Sequence, residues 1–217
     1  MRGFLQKDME LMTQNRSMPV IILVMTVFMI CVKNESFVVS YLGMMGGFVS
    51  MSTISYDEAD QGMGYLMTLP STRRLYVVEK YIFGYGVSIL FLAFGILAWL
   101  VADIFRGISL EPEELLMNCG IGLLIVVVML VVLVPIQLKF GTDNGRIVMA
   151  AVFMGIFGAV YLVSRVAEEA GIDMDQLLVD IRSSGIPVLF LICLVLLGAV
   201  TCISCGISIC ILERKEF

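Results

Sequence analysis

The sequence predicts an all-α polytopic membrane protein, a single domain of six transmembrane helices. Two observations carry this. The chain is 59% hydrophobic with only 15% charged residues, and its mean hydropathy is +0.99, whereas soluble domains hold about half apolar and about a quarter charged residues. The apolar residues also fall into six blocks between polar segments, and a helical span needs roughly 20 of them. That spacing uses up 217 residues and leaves no room for a second domain of ordinary size.

Residues 1–17 come first. Leu5, Met9 and Met12 recur at helical spacing beside Phe4, with Lys7, Glu10 and Gln14 on another face. This fits an interfacial amphipathic helix, and a plain polar leader fits it too. No apolar core begins before Met18, so the segment does not read as a signal peptide.

The first span is placed at 18–32, with Pro19 in its opening turn and Arg16 and Lys33 flanking it. The second, 36–55, contains Gly43, Gly46 and Gly47. Small residues allow close helix contact in lipid, within one chain or between two copies, or they mark a flexible point.

Residues 56–80 form the polar stretch around which the chain is organised. They hold acids (Asp57, Glu58, Asp60), aromatics (Tyr56, Tyr65, Tyr76) and bases (Arg73, Arg74), a composition suited to docking another protein. The third span, 81–102, carries the single Trp, Trp99, near one end, as interfacial aromatic belts do. Pro112 followed by Glu113 and Glu114 reads as a helix start. The fourth span is 119–138, with Pro135 as a kink, followed by a short turn at 139–146 and a fifth span at 147–163.

Residues 164–185 are the other sizeable polar segment. Met174, Leu177, Leu178 and Ile181 fall at i, i+3, i+4 and i+7 after the capping residue Asp173, which predicts a short amphipathic helix. It is expected to act as a lid at the outer face. The last span is 186–212, longer than the bilayer requires.

Orientation follows from Lys and Arg. One set of polar segments holds ten and the other four, so the first set, including both termini and residues 56–80, is expected in the cytoplasm. The outer set carries a net charge of −6.

Several chemistries find no residues. There is no His, which removes the commonest general base and metal ligand. The six spans contain no Asp, Glu, Lys or Arg, although ion-coupled transporters place charges there. No phosphate-binding G-x-x-x-x-G-K-[ST] loop occurs. All six Cys lie in apolar blocks, and Cys202-x-x-Cys205 sits inside a hydrophobic run, so they read as packing residues. No nucleic-acid partner is expected.

The acidic run after the second span, then Tyr65, Leu69-Pro70-Ser71-Thr72-Arg73, and Val77-Val78-Glu79-Lys80-Tyr81 opening the third span resemble the permease subunits of ABC-2 type exporters. The likeness is to small bacterial six-span members without a fused ATPase, and in layout it covers the whole chain. It implies a bacterial plasma-membrane permease with no catalytic site and no cofactor of its own, ATP and Mg being held by a partner. It implies two copies of an ABC ATPase subunit and a second permease copy or a related permease. Residues 56–80 would then be a cytoplasmic coupling loop containing a coupling helix that docks that ATPase through Tyr65, Arg73 and Arg74, with Asp57 and Glu58 as acid partners. The expected cargo is a hydrophobic or amphipathic substrate such as a peptide. The alternative is a non-transporting membrane scaffold or a peptide-immunity protein.

Overall fold

The computed structural model describes residues 2–14, 17–32, 35–58, 73–107, 112–169 and 186–215. Every element among them is an α-helix: α1 (Arg2–Gln14), α2 (Ser17–Cys31), α3 (Glu35–Glu58), α4 (Arg73–Arg106), α5 (Pro112–Glu169) and α6 (Ile186–Arg214). Among the described residues, four stretches are long and apolar enough to cross a membrane: Phe37–Glu58, Arg73–Arg106, Leu115–Gly141 and Val195–Arg214. The apolar stretch of α2, Val20–Cys31, is shorter.

Helix α4 starts within the segment that the sequence assigns to a polar loop. Its 34 residues, at about 1.5 Å each, make it far longer than a hydrocarbon core of about 30 Å. One end therefore carries Arg73, Arg74, Glu79 and Lys80 on a continuous helix, with α3 likewise running on to Glu58. At its other end α4 stops at Gly107, whose φ of 67° suits a residue without a Cβ, and the Gly107 N–H caps the Ile104 carbonyl at 3.3 Å. Arg106, in the last turn, donates to the Ile30 carbonyl and joins α4 to the end of α2.

Helix α3 is the centre of the bundle. Its glycines are spent inside the chain: Gly43, Gly46 and Gly47 are buried. A Cβ on Gly46 would lie 2.7 Å from Ser88 Cα of α4, so two backbones meet here where no side chain fits. On Gly43 it would lie 3.1 Å from Val126 Cγ2 of α5. These glycines thus serve close packing within one chain and do not face a second copy. The core groups Met51, Ile54, Tyr76, Val77, Leu130, Leu133, Val134 and Leu212 from α3, α4, α5 and α6. Trp99 lies inside as well, 4% exposed and packed with Val39 and Leu92, so it serves packing rather than an interfacial belt.

The outward surface is apolar. Ile21, Val24 and Phe28 of α2, Leu90 and Phe94 of α4, Phe157 of α5 and Ile203 of α6 are all more than half exposed. Water would penalise this, whereas lipid chains solvate it.

Helix α5 is broken at Gly141, where φ is 73° and ψ is −172°. The sequence expected a turn over 139–146, but the chain turns on this one residue and resumes helix at once. Pro135, six residues earlier, cannot donate to the Val131 carbonyl four residues back. Ser204 of α6 supplies the missing donor at 2.7 Å. The Tyr81 hydroxyl of α4 lies 2.7 Å from the Ser204 hydroxyl and 3.1 Å from that of Ser208, and Tyr85 pairs with Thr201 at 2.9 Å. A short polar seam therefore fastens α4, α5 and α6 within an apolar bundle. The described cysteines are free thiols.

Candidate functional site

The ends of α3 and α6, the beginning of α4, the break in α5 and the helix α1 meet at one end of the bundle, its foot. Two groups of charges are built there.

The first lies between α1, α3 and α4. Lys80 is paired with Asp8 and, at 2.9 Å, with Asp57. It also donates to the Thr53 hydroxyl at 3.1 Å, and it stands over the Tyr76 ring at 5.3 Å. The Tyr76 hydroxyl donates to Asp57 at 2.9 Å. Lys7, on the rim of the group, is paired with Asp57 and lies 3.4 Å from Asp8. The side chains of Lys80, Asp8 and Asp57 are 1%, 0% and 4% exposed. Two lysines and two aspartates balance in charge. Removing charges from water costs several kcal/mol per ion, so such a group persists only when its members satisfy one another. Next to Lys80, the Glu79 carboxylate is buried, and neither of its oxygens has a hydrogen-bond partner among the described residues.

The second group joins α4 to α6 and α5. Arg73 donates to the carbonyls of Leu212, Glu213 and Lys215 at 2.9, 2.8 and 3.1 Å. A helix ends with unsatisfied carbonyls and a partial negative charge, and one guanidinium from another helix covers three of them. Arg74 pairs with Glu213 at 2.8 Å and is largely exposed. Lys215 reaches Glu58 at 3.1 Å and the Leu138 carbonyl at 3.2 Å. The Glu58 carboxylate occupies the place where a side chain on Gly141 would begin: a Cβ there would lie 2.6 Å from Oε1. The break in α5 and the end of α3 are thereby fitted to each other.

Of the residues that sequence reasoning assigned to docking, Asp57, Glu58, Arg73 and Arg74 converge on this foot. Asp57 is turned inward into the buried group. Glu58 and Arg73 are half-buried on contacts to α5 and α6, and Arg74 points out. Tyr65 and the lid residues Met174, Leu177, Leu178 and Ile181 lie outside the described residues.

Sequence reasoning missed Lys7, Asp8, Thr53, Tyr76 and Lys80 as a unit. One signal was present: Asp8 follows Leu5 by three and precedes Met12 by four, which places an acid on the apolar face of α1. Among those three positions it is Asp8 that the fold buries completely.

Among the described residues no group of His, Cys, Asp or Glu could hold a metal ion. The two lysines and two aspartates of the first group pair with one another. Residues 59–72 are bracketed by Asp57 and Glu58 on one side and Arg73 on the other, Asp57 tied to α1 and α4 and the other two to the end of α6.

Neither the curated proteins nor the solved structures contain a match to this chain. A protein-family model, described as ABC-2 family transporter protein, matches residues 3–213. A match over nearly the whole chain agrees with the apolar helices and the foot that binds them, and the chain belongs to the ABC-2 family of transporter proteins.

Proposed function

We propose that this chain is the permease subunit of an ATP-driven exporter, with six spans and both termini in the cytoplasm. A separate ABC ATPase docks on residues 59–72 and the adjoining face of Arg74, and two permeases form the path. The cargo is a hydrophobic or amphipathic molecule such as a peptide.

One observation carries this reading. The segment 59–72 enters and leaves through residues tied to α1, α4, α5 and α6 by buried charges and backbone caps. A displacement imposed on it is delivered to the whole bundle, because packed elements shift as units and do not deform continuously. The apolar spans and the missing phosphate-binding loop agree with energy arriving from another subunit.

Within this reading the docking residues divide in two. Arg74 and Tyr65 make the contact to the ATPase. Asp57, Glu58 and Arg73 anchor the two ends from which the segment leaves. The test is co-purification of the ATPase subunit with Arg74→Glu combined with Tyr65→Ala; Arg74 lies outside the buried group. Loss of the ATPase from an intact permease is expected. Retained binding with retained ATPase stimulation by substrate would place docking elsewhere, and no binding even to the wild type would favour the scaffold or immunity alternative.

A further inference from the structure

At the foot, a cavity of about 450 Å³ opens between the end of the first arm of α5 and the last two turns of α6, lined by Lys139, Ile207, Cys210, Ile211, Arg214 and Lys215. We propose that it is a binding site for one anionic phospholipid of the surrounding leaflet, with the head phosphate on Lys139, Arg214 and Lys215 and an acyl chain along Ile207, Cys210 and Ile211.

The lining has two chemistries in the order a lipid presents them. Ile207, Cys210, Ile211 and Arg214 are spaced i, i+3, i+4 and i+7, so they form one face of α6. Its apolar part continues onto Ile203 and Val200, both exposed on the outward surface, and its last member is a guanidinium. Lys139 joins it from α5, exposed and 5.2 Å from the Phe140 ring. Among the described residues, three cations and no acid line the cavity. Of the acids nearby, Glu213 pairs with Arg74, while Glu58 pairs with Lys215, which leaves Lys139 and Arg214 to supply the net positive charge.

A helix C-terminus would ordinarily repel an anion. Here Arg73 covers the carbonyls of Leu212, Glu213 and Lys215, so the end of α6 presents its cations without that penalty. The volume falls within the roughly 300–1,000 Å³ of ligand sites, and basic pockets between spans at the membrane surface suit anionic head groups. A soluble phosphate would leave the apolar wall unused. A zwitterionic lipid would bring its own cation to a site that already holds three.

The inference rests on the membrane reading and not on transport, so it is tested without an ATPase. The full-length protein in detergent is equilibrated with equal amounts of phosphatidylglycerol and phosphatidylcholine, and the retained lipid is identified by native mass spectrometry. Phosphatidylglycerol should be retained in preference. Lys139→Gln with Arg214→Gln should lower that preference about 25-fold, since each cation near an anionic surface contributes about fivefold. Lys139→Arg with Arg214→Lys should keep it, and Cys210→Trp, which fills the cavity, should remove retention of either lipid. Wild-type preference in the Gln pair or in Cys210→Trp would overturn the site. Displacement of the lipid by excess inorganic phosphate would also overturn it, in favour of a site for free anions.

Discussion

Lys80 and Asp8 are joined across 72 residues of sequence, and both are almost wholly out of water. This pair, with Asp57 as its third member, is what attaches α1 to the bundle. Lys80→Met leaves two carboxylates buried without their shared cation. It should cost on the order of 3–5 kcal/mol, read as a lowered melting temperature of the detergent-solubilised protein. Adding Asp8→Asn should recover part of that loss. Equal melting of wild type and Lys80→Met would mean that water reaches the group.

Gly46 against Ser88 gives a second expectation. Gly46→Val drives a side chain into the α4 backbone and should destabilise by about 1–3 kcal/mol or more. Gly86→Ala, where nothing lies within 4 Å, should stay within about 0.5 kcal/mol of wild type. Paired melting curves decide between them, and similar losses at both positions would argue against the close α3–α4 approach.

Topology is tested in a variant without native cysteines. Glu113→Cys or Glu169→Cys should react with an impermeant maleimide added outside, while Gln61→Cys and Asn144→Cys should react only after permeabilisation. Outside labelling at position 61 would reverse the proposed orientation.

The lid proposal concerns 164–185. Leu177→Asp with Leu178→Asp should reduce export while leaving membrane insertion and ATPase binding unchanged, because the helix is proposed to shape release on the far side. Export at the wild-type rate would remove the lid from the mechanism.

The sequence revealed the middles of the helices better than their ends. The apolar runs within α3, α4 and α6 were plain, since about 20 apolar residues have one stable use. The stretch Arg73–Lys80 read as loop because four of its eight residues are charged. It is helix, with Arg73, Arg74 and Lys80 finding partners in α1, α3 and the end of α6, and no local pattern records partners that far away. Gly46 left two readings open, contact or flexibility, and only the position of Ser88 separates them. The docking residues were found as a cluster but not sorted, since Asp57 and Arg74 look equally polar in sequence while the fold buries one and exposes the other.

The hold of Arg73 on the α6 carbonyls also orders events during synthesis. Leu212 is made 139 residues after Arg73, roughly 7–28 s later at about 5–20 residues per second. Until Leu212 is made, the carbonyls that Arg73 grips do not exist. The link between the start of α4 and the end of α6 therefore forms only after α6 has been made, which ties an early helix to a late one through a single guanidinium.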